Sequence, residues 1–286
     1  MPPMSAHQEI QGPTVGVPTV ASRALLRVPE ITAWFWVLKG LSTAMGEATS
    51  AYLVRTLHPV PAVLLGFVAL VGALALQFSM RRYVAWTYWL AVAMVGVFGT
   101  MAADVLHVGF HVPYIASSLL YAVALAAVFV VWQRSEGNLS IHSIDNFRRE
   151  TFYWAAVVAT FALGTAVGDM TATTLHLGYW LSAVMFAGAI LIPALGYRFF
   201  RLNSIFAFWF AYVLTRPLGA SVADWMAKPA NVGGLAWGDA RVTFGLCLLL
   251  LCGVAYVVIA QPGTPVARPT RNPPPPASSR SVPGAR

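Results

Sequence analysis

Charge is scarce in this sequence. Of its 286 residues only 10% are Asp, Glu, Lys or Arg, less than half of the ~25% usual for soluble globular domains. Cysteine is nearly absent as well. Cys247 and Cys252 are the only two and lie in the last apolar block, where no metal-ligand spacing or disulfide framework arises, so they read as packing residues. The first thirty residues carry Arg23 and Arg27 but no short apolar core with a small-residue cleavage site, which excludes a signal peptide and makes the first apolar block a retained helix. No GxSxG, HExxH, phosphate-binding glycine loop or paired CxxC occurs, so the usual marks of an enzyme are missing.

What the chain has is apolar sequence, 58% of residues, in blocks near twenty long that match the hydrocarbon thickness of a bilayer. We place spans at roughly 31–53, 60–79, 83–107, 112–132, 152–176, 178–198, 203–226 and 240–260. The net charge of +8 does not gather into one basic patch, so nucleic acid is not a partner; the basic residues sort by loop. Thirteen arginines fall on one side: Arg23 and Arg27, Arg81 and Arg82, Arg134, Arg148 and Arg149, Arg198 and Arg201, then Arg268, Arg271, Arg280 and Arg286. Only Arg55, Lys228 and Arg241 fall on the other. The positive-inside rule then puts both termini in the cytoplasm of a multi-pass membrane protein, with the lipid bilayer as its first partner. The sequence divides into an N-terminal tail (1–26), two membrane halves (27–132 and 152–260), a cytoplasmic linker loop (133–151) and a Pro/Arg-rich tail (261–286). Both tails read as disordered, the second because its composition favours extended solvated chain.

An internal repeat runs through the membrane halves. Each odd-numbered span has a tryptophan followed ten residues later by a glycine: Trp36 and Gly46, Trp89 and Gly99, Trp154 and Gly164, Trp209 and Gly219. Five past the glycine come Ala51, Asp104, Asp169 and Asp224, and twelve past it His58, His111, His176 and Asn231. The first copy carries Glu47 one turn earlier on about the same face. The tryptophans read as interfacial anchors and the glycines as points of close helix packing. The expected fold is all-α: eight transmembrane helices in four parallel two-helix copies, pseudo-symmetric about the membrane normal. The acidic groups then form a broken ring, with the histidines ~10 Å further out.

These copies, with "VPEITAWFWVLK" and "MGEATS" at the start and "LSIHSIDNFRRETFYW" before "FALGTAVGD" in the middle, resemble the bacterial multi-spanning proteins that carry a two-helix repeat of unknown function. The resemblance covers about residues 27–260 and implies the fold more than an activity. It also implies an aspartate in the first copy, where this chain has Ala51.

Ionisable groups at membrane depth are costly and default to function. Glu47, Asp104, Asp169 and Asp224 read as a cation or proton site, with Arg216 and Lys39 as counter-charges and Glu47 as the first choice of partner for Arg216. Lys39 can also snorkel to the interface. The two positive and four negative groups leave a surplus that a divalent cation or two protons would neutralise. Carboxylate with imidazole suits manganese, iron, zinc, cobalt or nickel, so Asp104, His107, His111, Asp169, His176 and His58 are candidate metal ligands. The expected function is transport of a small cation, a divalent metal foremost and proton-coupled, with the metal as substrate and not as a resident cofactor. Proton-coupled transport of a small organic solute is the alternative, and an intramembrane metal hydrolase using Asp104, His107 and Asp169 follows behind. A homo-oligomer is left open.

Overall fold

The computed structural model describes residues 26–260. Both sequence-defined tails lie outside that range except for Leu26, which is packed and not part of a tail: it is buried and its carbonyl accepts a bond from the Tyr83 amide at 2.8 Å. Among the described residues the long helices are α1 (Ala33–Leu57), α2 (Pro59–Ser79), α3 (Ala85–Asp104), α4 (Tyr114–Glu136), α5 (Phe147–Asp169), α6 (Gly178–Phe199), α7 (Ser204–Ala227) and α8 (Asp239–Ala260). Seven of them, all but α1, are long and apolar enough to cross a membrane. Their starts follow local chemistry. Thr32, Asn146 and Asn203 cap the amides of α1, α5 and α7, and Gly137 ends α4 in the left-handed conformation that glycine adopts without strain.

The odd helices α1, α3, α5 and α7 form a closed inner ring, each touching the next and α7 returning to α1. The even helices lie outside. Each packs on the inner helix of the following copy: α2 on α3, α4 on α5, α6 on α7, and α8 back on α1. The hydrophobic faces of the outer helices stay largely uncovered, as at Val60, Leu64 and Val68 of α2.

The repeat glycines lie where the inner helices meet. A Cβ on Gly46 would fall 2.6 Å from the Gly96 carbonyl carbon, and one on Gly99 would fall 2.8 Å from Phe161 Cβ. A Cβ on Gly164 would strike Arg216, and one on Gly219 would strike Thr43. In every case the neighbour is the residue three before the glycine of the next copy, and the fourth copy closes on the first. Only the absence of a side chain allows backbones to approach this closely.

At the end where the inner helices begin, aromatic rings fill the centre. Eleven residues before each glycine stand Phe35, Tyr88, Tyr153 and Phe208, all buried, with the Tyr88 and Tyr153 hydroxyls 2.5 Å apart. The tryptophans join this cluster, and here the sequence expectation is corrected. Trp89, Trp154 and Trp209 are buried in protein and only Trp36 is half-buried, so they pack the core in place of anchoring to lipid. Trp209 Nε1 donates to the Leu139 carbonyl at 3.0 Å.

The loop expected at 133–151 is shorter, because α4 runs to Glu136 and α5 starts at Phe147. Its Ile141 and Ile144 turn inward and are buried beside Val28. Under them sits Glu150, fully buried, 2.7 Å from Arg27 Nη1 and accepting from Gln77 Nε2 at 2.9 Å and Trp154 Nε1 at 3.4 Å. Thr87 Oγ1 donates to Gln77 Oε1 at 3.1 Å. A buried carboxylate survives only with partners of this kind, so the segment from Leu26 and the α4–α5 loop together cap that end of the bundle.

Candidate functional site

The middle of the ring is built around Arg216, which is fully buried. Its Nη2 donates to Glu47 Oε2 at 2.9 Å, to Thr165 Oγ1 at 2.7 Å and to Thr100 Oγ1, while Nη1 donates to the Thr43 carbonyl at 3.3 Å. Glu47, Thr100 and Thr165 each stand one residue past a repeat glycine, so all four copies meet at one guanidinium. Thr100 and Thr165 were missed from the sequence. Their signal is the Gly-Thr pair in copies two and three, standing where copy one has Gly46-Glu47.

The guanidinium–carboxylate pair of Arg216 and Glu47, both buried, joins α7 to α1 as a fixed lock. Thr43 Oγ1 adds a bond to the Thr215 carbonyl at 3.2 Å, beside Pro217, tying α1 to α7.

Lys39 does not snorkel. It is buried, and its Nζ lies 4.0 Å and 4.2 Å from the ring centroids of Phe161 and Tyr212. Arg216 Cζ lies 5.3 Å from the same Phe161 ring. Lys39 Nζ and the Arg216 guanidinium therefore share an aromatic partner, and Lys39 pairs directly with none of the carboxylates among the described residues.

Asp104, Asp169 and Asp224 lie toward the other end. Asp224 is buried and pairs with Lys228 at 3.3 Å, one turn on. Burial alone would lower the Lys228 ammonium, but the Asp224 and Glu47 carboxylates outweigh it and hold the group above the ordinary lysine value. Asp104 and Asp169 have no ion-pair partner among the described residues. Both feel the charges of Glu47, Asp224 and Lys228; Asp169 also feels Asp104, and Asp104 also feels Arg216. Each ends an α-helix and opens a π-helical turn, Val105–Gly109 and Met170–Thr174. Such turns are rare and frequent at functional sites. Ala51 leaves the ring broken in the first copy, where α1 stays α-helical to Leu57.

The histidines do not join this group. His58, His111 and His176 take left-handed φ values of 65°, 59° and 56° and are exposed at the turns into the outer helices. Positive φ is uncommon outside glycine, so its recurrence at one register marks a repeated backbone turn. His107 Nδ1 lies 2.9 Å from the Val112 carbonyl, and its ring stacks on Tyr114 at 3.5 Å. Among the described residues no three His, Cys, Asp or Glu side chains are disposed to hold a metal ion. The metal ligand set of Asp104, His107, His111, Asp169, His176 and His58 is thus not assembled. Cys247 is partly buried and Cys252 exposed, both as free thiols.

A family model described as "Repeat of Unknown Function (DUF347)" matches residues 87–138, 152–202 and 207–262, more than half of the chain. Residues 27–86 fall outside the matches, and they hold the copy whose register positions differ most, with Lys39, Glu47 and Ala51. No curated protein and no solved structure matches the chain.

Proposed function

Because this chain belongs to the family built on the repeat of unknown function DUF347, its copies share one plan, and we propose that it is a membrane transporter of a small cation, coupled to protons, through the centre of the inner ring. An unequal pairing of charges carries this reading. Arg216 is taken by Glu47 and Lys228 by Asp224, while Asp104 and Asp169, at one register in adjacent copies, have no ion-pair partner among the described residues. Unpaired carboxylates at membrane depth are costly. A divalent ion or two protons would neutralise this pair, and the π-helical turns that follow give the backbone there room to adjust.

In this reading α1 is the eighth span. Its lower hydropathy comes from Lys39 and Glu47, both of which face the protein interior. The copies are parallel and related by an axis along the membrane normal, an arrangement supported by the cyclic glycine contacts. Both termini are cytoplasmic in a bacterial plasma membrane, so the Glu150 cap closes the cytoplasmic end and the aspartates stand in the outer half.

The test is uptake and efflux in vesicles containing the purified protein, across a panel of divalent cations and at two pH values, with a pH-sensitive dye inside. Flux of one cation accompanied by proton movement supports the reading. Vesicles indistinguishable from protein-free ones across the whole panel would reject it.

A further inference from the structure

An elongated groove of about 880 Å³ lies between α1, α6 and α7, with no aspartate among its lining residues. Small side chains hollow it: Gly40 and Ala44 on α1, Ala207 and Ala211 on α7. Pro193 of α6 forms a wall, and of α8 only Leu246 borders it. Its lining on α7 runs from Ser204 to Val222, ~27 Å of helix at 1.5 Å per residue. A slot of that length at membrane depth suits a hydrocarbon chain better than a compact solute.

Apart from Thr215, the hydrogen-bonding side chains of the lining gather at one end. Ser140, His142, Tyr197 and Ser204 border the mouth. The turn joining Tyr197 to Ser204 carries Arg198 and Arg201, both exposed and neither in an ion pair among the described residues. On the topology proposed above this end faces the cytoplasm, where anionic lipids attract basic residues.

We propose that the groove is a binding site for an anionic phospholipid of the cytoplasmic leaflet, one acyl chain lying along α7 and the phosphate meeting Arg198 and Arg201. The site bears on the centre of the molecule. The groove reaches Thr215, whose carbonyl accepts from Thr43 Oγ1, and the Thr43 carbonyl in turn accepts from Arg216. A seated chain therefore supports the α1–α7 seam that carries the central ion pair. The proposal rests on the topology and not on the transport reading, and a reporter fusion in the 137–146 loop checks that topology separately.

The test uses the full-length protein in phosphatidylcholine vesicles containing a trace of photoactivatable phosphatidylglycerol with a diazirine at one acyl terminus. Labelled peptides should map to α1 and α7 around Ala44 and Ala211, and unlabelled phosphatidylglycerol should compete while added phosphatidylcholine should not. Ala211→Trp fills the groove and should abolish this labelling; Gly40→Leu is the second filler should the first not fold. Arg198→Gln and Arg201→Gln should each weaken competition about fivefold, the worth of one basic residue near an anionic membrane surface. Labelling spread evenly over the outer faces of α2, α4 and α8, competition by both lipids alike, or labelling unchanged in the filled variants would each overturn the proposal.

Discussion

The Arg216 guanidinium sits 2.9 Å from the Glu47 carboxylate, joining the last copy of the repeat to the first with both side chains buried. Two threonines from the remaining copies and the Thr43 carbonyl also accept from the guanidinium. Removing one member of such a pair strands the other charge, which costs ~3 kcal/mol or more. Arg216→Gln and Glu47→Gln should each lower the stability of the purified protein by that order, and the double variant should lose less than the sum of the two. Denaturation of the four forms measures this. Strictly additive losses would mean the two residues are not coupled.

Gly46→Ala and Gly40→Ala make a matched pair on one helix. A Cβ at Gly46 meets the Gly96 backbone at 2.6 Å, whereas a Cβ at Gly40 meets nothing within 4 Å. Gly46→Ala should destabilise by ~1–3 kcal/mol through overpacking. Gly40→Ala should be neutral or stabilise by up to ~1 kcal/mol through helix propensity. Thermal melts in detergent separate the two, and equal effects would contradict the ring packing.

The tryptophans should rank by burial and hydrogen bonding. Trp209→Phe loses the bond to the part-buried Leu139 carbonyl, a loss of ~1 kcal/mol. Trp36→Phe, half-buried, should cost less. Interfacial anchors would instead tolerate both changes alike, so the melting temperatures of the two variants decide between the roles.

At His58, His111 and His176 the left-handed backbone, and not the imidazole, is what the fold requires. Asn or Gly at His111 should keep stability near wild type, while Val should cost ~1–2 kcal/mol because a branched side chain resists that conformation. Metal content of the purified protein should be the same in all three variants. A metal deficit common to the three would restore the histidines as ligands.

Much of this plan is legible in the chain, for physical reasons that also mark where it fails. The Trp-to-Gly spacing finds the inner helices because close approach demands glycine at one depth, and the Arg216–Glu47 pair is legible because charge at that depth needs a partner. Burial of the tryptophans is not, since an indole suits a lipid interface and an aromatic core equally. The histidine register misleads because periodicity records a repeated backbone turn as faithfully as a repeated ligand. Thr100 and Thr165 escape attention because threonine is common in apolar helices, and Glu150 with Gln77 because their pairing joins elements 73 residues apart. The one available signal for the latter is a lone glutamine in the apolar run of α2.

The central claim is that Asp104 and Asp169 carry the transported charge, and the Asp104→Asn, Asp169→Asn double variant tests it most directly. Asparagine keeps size and hydrogen bonding but removes charge and the exchangeable carboxyl proton. In reconstituted vesicles, at membrane abundance and melting temperature equal to wild type, the account predicts loss of both cation flux and the accompanying proton movement. Wild-type flux from that variant would contradict it.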